Sequence, residues 1–343
     1  MALCRRPFST AMLAVLLAGG LGTRLRPLTF TTPKPLLPVG NVALVEHALR
    51  GLPPEVDEVL LATGYKTELI EAHFQGRTAK PRVRVVREDR PLGTGGAIRN
   101  ALAAVGGARG TFLVRNADLV DTLPIADMLR FHRARGGLAT ISLWEVEDPS
   151  PFGVAMLEGP RIVHFVEKPK KEDAPSRLIN AGTYILEPEV MDMLPPQPAG
   201  ELSMERVAFP KVVASPRGMF GFTFTGHWID CGRPDAYLEA HRLVVRPGAT
   251  LAPGARCEGQ VKGFACLGPG ATVERGAVLE DSVLLDGARV ARDAVVARSI
   301  LGKDAVVGAG ARVEDSVLGD GASAPPQAQL RSRKVPDPAE VRA

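Results

Sequence analysis

A glycine-rich segment near the start of the chain carries the side chains that phosphate chemistry requires. It includes two cations, Arg24 and Lys34, and reads Ala18-Gly19-Gly20-Leu21-Gly22-Thr23-Arg24, with Pro33-Lys34-Pro35 further along. Glycines let backbone N–H groups approach phosphate oxygens closely, whereas larger side chains would prevent this. Arg24 offers a planar fork of donors and Lys34 a compact charge. The glycines alone would also fit a dinucleotide loop or a plain turn, and the Gly-Lys-Ser/Thr ending of a Walker loop is missing. The two cations therefore favour phosphate binding.

Two aspartates stand at the ends of apolar runs that are far apart in the chain. Asp118 follows Thr111–Arg115, and Asp230 follows Trp228-Ile229. Mg²⁺ prefers hard oxygen ligands and is usually held by one or two carboxylates together with phosphate oxygens. An aspartate at the end of a strand is, by itself, more often a turn or cap residue. A metal role for this pair therefore depends on the motifs around it.

The elements that must position these residues alternate along the first two thirds of the chain. Short apolar runs predict strands, and amphipathic stretches between them predict helices; the strands are Leu13–Leu17, Val56–Ala62, Val83–Arg87 and Thr111–Arg115, and the helices are Ala43–Arg50, Glu68–Phe74, Gly96–Ala104 and Ile125–Arg133. A later run, Arg161–Val166, also predicts a strand. Alternating strands and helices indicate a parallel α/β sheet, in which ligands bind at the carboxyl ends of the strands.

A second pattern begins near Arg246. An aliphatic residue recurs every five or six positions, at Leu267, Val273, Leu279, Leu285, Val290, Val296, Leu301, Val307, Val313 and Leu318. A six-residue period with one inward aliphatic per short strand is typical of a hexapeptide β-helix. We therefore expect a catalytic-type α/β domain over 12–245, a β-helix over 246–323 and a flexible tail over 324–343, where four prolines stand among charges.

Composition excludes several classes of function. The 343 residues are 45% hydrophobic with a formal net charge of +4, and the basic residues are scattered and form no nucleic-acid patch. Cys4, Cys231, Cys257 and Cys266 show no disulfide or zinc spacing, which favours a reducing cytoplasm. The apolar run from Met12 to Ala18 is shorter than the ~18 residues of a membrane helix and predicts a buried strand. Either Met1 or Met12 could be the start residue.

The motifs together are similar to those of a known family. Gly-Gly-x-Gly-Thr-Arg-Leu-x-Pro-Leu-Thr at 19–29, followed by Pro33-Lys34-Pro35, resembles the signature of the sugar-1-phosphate nucleotidyltransferases. Further matches lie at Leu92–Gly96, Asn116–Asp118, Glu147–Pro149, Phe152–Val154, Phe165–Pro169, Asn180–Gly182 and Trp228–Gly232. The resemblance spans residues 12–240 and is strongest to the branch that transfers guanylate to mannose 1-phosphate. It implies a Rossmann-like domain with a mainly parallel sheet, and a left-handed hexapeptide β-helix is a common companion.

The resemblance also implies a reaction and a role for each site residue. An oxygen of a sugar 1-phosphate attacks the α-phosphorus of a nucleoside triphosphate, and pyrophosphate leaves in line. Arg24 and Lys34 would be catalytic, and Asp118 and Asp230 would hold Mg²⁺, although Ala117 stands where the family has Ser or Gly. The nucleotide would contact Ala18, Gly19, Gly20, Gly22, Thr23, Glu88, Gly93 and Thr94. The sugar phosphate would contact Gly153, Glu167, Lys168 and Asn180.

The base is predicted from one carboxylate. Aligning Gly93 with the glycine of the family's base loop places Glu88 where thymidylyl-transferring relatives carry Gln. A carboxylate only accepts hydrogen bonds, which suits the adjacent N–H donors of guanine, whereas an amide suits thymine and uracil. Glu88 therefore favours GTP, unless it is a solvated member of the charged run 87–90.

Several alternatives stay open. The sugar could be mannose, glucose or a heptose, so a glucose-1-phosphate thymidylyl- or uridylyltransferase and a heptose-1-phosphate guanylyltransferase are both possible. A non-catalytic regulatory subunit of the same family is a second class. It is disfavoured because Arg24, Lys34, Asp118 and Asp230, the charged residues that would handle phosphate and metal, are all present. Acyl transfer on the β-helix would need a histidine base, and no histidine follows His241. The β-helix is instead expected to pair subunits into a homo-oligomer.

Overall fold

The computed structural model of the chain describes residues 12–340. Cys4 and the candidate start residue Met1 lie outside the described residues. The described chain forms two compact units: the first contains residues 12–20, 48–117 and 121–228, and the second contains residues 21–47, 118–120 and 229–340. The chain passes from the first unit to the second directly after Gly20, after Ala117 and after Trp228. Three of the predicted site motifs therefore stand where the chain changes unit.

Thirteen strands precede residue 231. Their bounds are β1 (Met12–Leu17), β2 (Pro38–Val39), β3 (Val42–Ala43), β4 (Val56–Thr63), β5 (Arg82–Arg87), β6 (Phe112–Asn116), β7 (Leu119–Asp121), β8 (Ala139–Glu145), β9 (Gly153–Glu158), β10 (Arg161–Glu167), β11 (Leu178–Leu186), β12 (Met219–Thr223) and β13 (Trp228–Asp230). Seven α-helices lie in the described chain: α1 (Leu44–Arg50), α2 (Thr67–Phe74), α3 (Gly93–Ala103), α4 (Ile125–Arg135), α5 (Glu189–Asp192), α6 (Phe209–Ala214) and α7 (Pro234–Val244). No helix among residues 12–340 is long and apolar enough to cross a membrane.

A nine-stranded sheet is the framework of the first unit. Its order is β5-β4-β1-β6-β11-β8-β12-β10-β9. The first four strands are parallel to one another, whereas β11 is antiparallel to both β6 and β8, and β10 is antiparallel to both β12 and β9. The α/β fold class is confirmed, with the parallel strands concentrated in the half of the sheet that contains β1.

The apolar pattern of β1 follows from its central place in the sheet. A parallel strand covered on both faces has no solvent side, so its residues form a continuous apolar run. Val15 of β1, Leu60 of β4 and Val114 of β6 are fully buried in one core, together with Ile98 of α3. All four predicted strands and all four predicted helices of this region are present. The largest difference is at α3, which begins at Gly93 instead of Gly96.

The second unit contains the β-helix. Its strands are β14 (Gly248–Leu251), β15 (Arg256–Cys257), β16 (Gln260–Leu267), β17 (Thr272–Val273), β18 (Val278–Leu284), β19 (Arg289–Val290), β20 (Val295–Ala297), β21 (Ile300–Leu301), β22 (Val306–Val307), β23 (Arg312–Glu314), β24 (Val317–Leu318), β25 (Ser323–Ala324), β26 (Gln329–Arg331) and β27 (Lys334–Val335). They stack in parallel ladders, one of them in the order β15-β17-β19-β22-β25. Val278 pairs with Val295, and Val295 with Arg312, so neighbouring coils are 17 residues apart.

The interior of the β-helix is aliphatic, as predicted. All ten aliphatic positions of the sequence pattern are buried, and Ala271, Ala277, Ala294, Ala305 and Ala311 fill the spaces between them. Three serines mark the coil period: the amide of Ser299 donates to Ser282 Oγ at 3.2 Å, and the amide of Ser316 donates to Ser299 Oγ at 3.0 Å. A 17-residue coil contains three sides, so each predicted aliphatic marks one side of a coil. The left-handed sense of the helix stays a prediction.

The predicted flexible tail at 324–343 is wrong for its first part. Ala324 is buried in the core of the β-helix, and β26 and β27 pair in parallel with β23 and β24. Pro325 and Pro326 occupy the turn between β25 and β26, where a missing backbone donor has little cost. The β-helix therefore continues to at least Val335.

Candidate active site

The signature segment folds back on itself through short 3₁₀ turns in the second unit. These turns are Thr23–Leu25, Leu28–Phe30 and Lys34–Leu36. Gly22 has a φ of 62°, and a Cβ on it would lie 2.9 Å from Thr29 Cγ2 and 3.3 Å from Lys34 Cβ. Thr29 Oγ1 donates to the Gly22 carbonyl at 2.8 Å. Both the left-handed conformation and the close packing against Lys34 therefore require glycine at position 22.

The ammonium of Lys34 lies between two carboxylates. Nζ donates to Asp118 Oδ2 and, at 3.2 Å, to Asp230 Oδ1. The Lys34 side chain is only 10% exposed. Burial alone would lower the pKa of Lys34, but the charges of Asp118 and Asp230 outweigh it and raise the pKa above its ordinary value. Lys34 therefore carries its positive charge at neutral pH.

Backbone and side-chain contacts gather the other charged residues at the same place. The amide of Cys231 donates to the Asp118 carbonyl at 3.1 Å, which brings Asp118 beside the segment that carries Asp230. Arg24 Nη2 lies 3.9 Å from Asp230 Oδ2, and the Arg24 side chain is 63% exposed. A Cβ on Gly232 would lie 2.5 Å from Arg24 Nη2, so glycine leaves room for the guanidinium. The structure thus brings together Arg24, Lys34, Asp118 and Asp230, which we call the charge cluster.

The charge cluster offers hard oxygen ligands to a divalent cation. The side chains of Asp118 and Asp230 are 27% and 31% exposed, so both carboxylates can reach solvent. Within residues 12–340, no group of three or more His, Cys, Asp or Glu side chains could hold a metal ion. Two carboxylates without a third ligand suit Mg²⁺, because phosphate oxygens commonly complete its coordination. The site therefore fits an ion that arrives with a phosphorylated substrate.

Glu88 lies beside the glycine loop in the first unit. It follows β5, its amide donates to the Thr63 carbonyl at 2.7 Å, and the residue is 8% exposed. A Cβ on Gly19 would lie 3.0 Å from Glu88 Oε1, so the carboxylate and the loop backbone are close neighbours. Burial raises the pKa of Glu88, and a hydrogen bond from the Leu92 amide partly offsets this. Two predicted nucleotide residues, Gly19 and Glu88, are thus adjacent.

The start of α3 is held by a distant segment of the same unit. Gly93 has a φ of 74°, and a Cβ on it would lie 2.6 Å from the Leu202 amide nitrogen. The Leu202 carbonyl accepts from the amides of Gly95 and Gly96 at 2.7 and 3.2 Å. These amides belong to the first turn of α3, where backbone donors have no partner within the helix. Gly93 is therefore required so that the chain at Leu202 can close on the helix.

The remaining predicted nucleotide residues lie along the glycine loop. The amide of Ala18 donates to the Ala62 carbonyl at 2.8 Å, so this donor is used within the sheet region. Apart from Gly20 and its two chain neighbours, no atom of the described chain lies within 4 Å of a Cβ built on Gly20. Thr23 begins the first 3₁₀ turn directly after Gly22. Gly20 therefore borders open space, whereas the Ala18 amide does not.

Three of the predicted sugar-phosphate residues lie on β9, β10 and β11 of the first unit, and Lys168 directly follows β10. Gly153 is paired with Glu167 in the ladder, and a Cβ on Gly153 would lie 2.7 Å from Glu167 Oε2. The side chain of Glu167 is 16% exposed, whereas that of Lys168 is 59% exposed, with Nζ 3.8 Å from Glu167 Oε1. Burial, followed by the negative charge of Glu205, raises the pKa of Glu167. Gly153 thus leaves the space that the Glu167 carboxylate occupies.

Asn180 on β11 belongs to a partly buried network that the sequence did not reveal. Its Nδ2 donates to the Tyr184 hydroxyl at 2.9 Å, and that hydroxyl donates to Glu205 Oε1 at 3.2 Å. Glu205 Oε2 also accepts from the hydroxyls of Thr94 and Ser203, both at 2.6 Å. We call these five residues the Glu205 network. The only sequence signal for it is a single acidic residue within the mostly apolar stretch 202–209.

Comparison with known families agrees with this fold. The model described as "Nucleotidyl transferase" matches residues 13–246, and the model described as "GMPPB C-terminal domain" matches residues 240–342. The chain therefore belongs to the nucleotidyl transferase family, whose reaction transfers a nucleotide from a nucleoside triphosphate to a sugar 1-phosphate.

Named relatives share most of the chain. A probable mannose-1-phosphate guanylyltransferase 1 of Oryza sativa subsp. japonica is 36% identical over 84% of this chain and 86% of its own length. The mannose-1-phosphate guanylyltransferase of Mycobacterium tuberculosis is 36% identical over 83% of both chains.

Solved structures show the same fold. A UDP-glucose pyrophosphorylase complexed with UDP-glucose is 26% identical with a TM-score of 0.57, covering 68% of this chain and 98% of its own. A putative glucose-1-phosphate thymidylyltransferase from Bacillus anthracis is 24% identical with a TM-score of 0.62, covering 70% and 98%. At 24% identity, the likeness extends to the fold alone.

Proposed function

We propose that the chain is a mannose-1-phosphate guanylyltransferase that converts GTP and mannose 1-phosphate into GDP-mannose and pyrophosphate. The observation that carries the proposal is the Lys34 ammonium held between Asp118 and Asp230. Nucleotidyl transfer brings two anions together, so a permanent cation beside two metal-binding carboxylates is what the reaction needs. The 35–37% identity to enzymes named for this activity supports the choice of substrates.

The charge cluster handles the phosphates. A phosphate oxygen of the sugar 1-phosphate forms a bond to the α-phosphorus, and the bond between the α-phosphorus and the bridging oxygen of the β-phosphate breaks. Lys34, whose raised pKa keeps it protonated, donates hydrogen bonds to the reacting oxygens. Arg24 is exposed enough to turn its guanidinium towards the leaving pyrophosphate. Mg²⁺ held by Asp118, Asp230 and phosphate oxygens would neutralise negative charge on the triphosphate.

The guanine base is assigned to Glu88. Its carboxylate only accepts hydrogen bonds, and guanine presents two adjacent N–H donors on its Watson–Crick edge. The proximity of Glu88 to the Gly19 backbone supports this assignment, because Gly19 belongs to the predicted phosphate-binding loop. Gly20, Gly22, Thr23, Gly93 and Thr94 complete the proposed nucleotide contacts, and Ala18 contributes at most its carbonyl.

The sugar phosphate is assigned to the ends of β9, β10 and β11. Glu167 accepts from sugar hydroxyls, Asn180 offers both a donor and an acceptor, and exposed Lys168 supplies a charge to the phosphate. The backbone at Gly153 adds a polar contact beside Glu167. We further propose that the β-helix pairs two subunits and that the enzyme works in a reducing cytoplasm, in keeping with its three free cysteines among residues 12–340.

A pyrophosphate-release assay tests the proposal. The full chain is assayed with Mg²⁺ over a grid of GTP, dTTP, UTP and ATP against mannose, glucose and heptose 1-phosphates. We expect the highest kcat/KM for GTP with mannose 1-phosphate. A preference for dTTP or UTP with glucose 1-phosphate would overturn the base assignment, and a preference for a heptose 1-phosphate would overturn the sugar. Absence of turnover with every pair would support the regulatory-subunit alternative.

A further inference from the structure

The carboxylate of Glu205 is a common acceptor for groups from separate elements of the first unit. Glu205 lies in a π-helical turn, Met204–Ala208, and is 8% exposed. Its two oxygens accept hydrogen bonds from Thr94 on α3, Tyr184 on β11 and Ser203. A buried carboxylate is costly unless it is well hydrogen-bonded, and three hydroxyl donors satisfy that need.

One arm of the network fixes the first turn of α3. The Thr94 hydroxyl donates to Glu205 at 2.6 Å and accepts from the Met204 amide at 2.9 Å. Both hydrogen-bonding directions of this hydroxyl are therefore used by the segment that carries Glu205. Since Leu202 closes on the Gly95 and Gly96 amides, the helix start and the segment at 202–205 form one rigid contact. The predicted nucleotide residues Gly93 and Thr94 lie in this turn.

The other arm fixes the orientation of an amide. Asn180 Oδ1 accepts from the Gly182 amide at 3.0 Å, and Nδ2 donates to the Tyr184 hydroxyl at 2.9 Å. The Gly182 amide can only donate, so the oxygen and nitrogen of the Asn180 amide cannot exchange places. The Tyr184 hydroxyl accepts from Asn180 because its own proton goes to Glu205. Asn180 retains a second N–H donor that can meet a sugar hydroxyl.

We propose that Glu205 is a positioning residue that couples the two substrates, because it orients both Thr94 at the nucleotide loop and, through Tyr184, Asn180 at the sugar site. This inference rests on the proposed function of those two sites. Glu205 itself touches neither substrate in the scheme. Each substrate meets groups whose orientation depends on the same carboxylate, so the losses of the two arms should not combine as independent effects.

Three conservative variants separate the arms. Tyr184→Phe removes only the hydroxyl between Glu205 and Asn180, and we expect the KM for the sugar 1-phosphate to rise about 3- to 10-fold with little change for the nucleotide, the scale of one lost buried hydrogen bond. Thr94→Val should raise the nucleotide KM by a similar factor. Glu205→Gln should raise both KM values. In the double variant Thr94→Val/Tyr184→Phe, the effect of Tyr184→Phe on the sugar KM should differ at least about twofold from its effect alone.

A matched control variant distinguishes the proposed positioning role from a purely structural one. Tyr237 is another fully buried tyrosine, in the second unit, and its hydroxyl donates to the Pro38 carbonyl. Tyr237→Phe should lower the Tm at least as much as Tyr184→Phe and leave both KM values unchanged. If Tyr184→Phe and Thr94→Val lower the Tm or kcat without raising either KM, or if their effects simply multiply, the coupling is refuted. The measurements use the substrate pair that gives highest turnover, so inactivity of the wild type with every pair would refute the proposed function instead.

Discussion

The charge cluster and the Glu205 network differ in the charge and the exposure of the polar groups that they bring together. In the charge cluster, two cations face two carboxylates, and Arg24, Asp118 and Asp230 remain partly exposed. In the Glu205 network, neutral hydroxyl groups surround one buried carboxylate. A partly exposed ion pair can exchange its partner for a charged ligand, and in the proposed function phosphates and Mg²⁺ would replace the charges that are lost. Neutral hydroxyl groups around a buried carboxylate cannot do this, so the network serves to fix geometry.

The difference predicts how each region responds to a lost group. If the proposed function holds, removing a charge from the cluster changes the electrostatics of the reacting phosphates directly, where stabilisation of developing charge is worth most. Removing a hydroxyl from the network would then change only the orientation of groups that touch the substrates. The following substitutions test this contrast, in order of decreasing effect.

Asp118→Asn should have the largest effect. It keeps the shape of the side chain but leaves Lys34 with one carboxylate and removes one of the two carboxylates proposed to hold Mg²⁺, so we expect kcat to fall at least ~10²-fold. Asp230→Asn should behave alike. The measurement is steady-state pyrophosphate release with increasing Mg²⁺.

The control for this prediction is another partly buried aspartate of the second unit. Asp281 is 20% exposed, pairs with Arg242 at 3.1 Å and is not a member of the charge cluster. Asp281→Asn should keep kcat within about 2-fold, the scale expected for a surface ion pair. A kcat for Asp118→Asn within 3-fold of wild type would remove Asp118 from the reaction.

The same contrast explains what the sequence could predict. The charge cluster could be predicted because each member stands in a contiguous motif: Arg24 and Lys34 follow the glycine segment, and Asp118 and Asp230 follow apolar strand runs. The carboxyl ends of parallel strands carry ligand-binding loops, so strand periodicity alone indicates where to look. The predicted strands and helices of this region were confirmed for the same reason.

The Glu205 network could not be found in this way. Its members come from α3, β11 and the π-helical turn, and Thr94 is 111 residues from Glu205. No local spacing connects them, because their meeting depends on how Leu202 packs against the start of α3. The prediction of a flexible tail from residue 324 was wrong for a related reason. Prolines at 325 and 326 suggested disorder, but the 17-residue coil places them in a turn, and Ala324 is buried in the core of the β-helix.

Glu88→Gln should have an intermediate effect. A buried charged acceptor is replaced by an amide, so kcat/KM for GTP should fall about 10- to 100-fold, while dTTP and UTP lose less or improve. Burial raises the pKa of Glu88, so its carboxylate takes up a proton at a higher pH than an ordinary glutamate. The wild-type kcat/KM for GTP should therefore decline on acidification from above the usual titration range of glutamate.

The pH profile gives the sharper comparison for this residue. The Glu88→Gln variant should lack the acidic decline that Glu88 causes, whereas Asp89→Asn, which removes the next and exposed carboxylate, should keep it. An equal kcat/KM for GTP in the wild type and the Glu88→Gln variant would refute the assignment of Glu88 to the guanine base without affecting the other proposed site residues.

Lys334→Met should have the smallest effect, and it tests whether the end of the β-helix supports the charge cluster. Lys334 Nζ donates to the Arg24 carbonyl at 3.0 Å, Thr31 Oγ1 donates to Asp320 Oδ2 at 2.6 Å, and a Cβ on Gly319 would lie 2.9 Å from Pro27 Cβ. The last coils therefore pack on the segment that presents Arg24. Losing one exposed hydrogen bond should raise the KM for the triphosphate about 2- to 5-fold and leave kcat nearly unchanged. Arg333→Met is the control, because it removes the same charge from the neighbouring position, where the backbone amide donates to Ser316 Oγ. This variant should not raise the KM for the triphosphate. Equal effects of both variants would mean that the positive charge of this coil, and not the contact of Lys334 with Arg24, acts on the triphosphate.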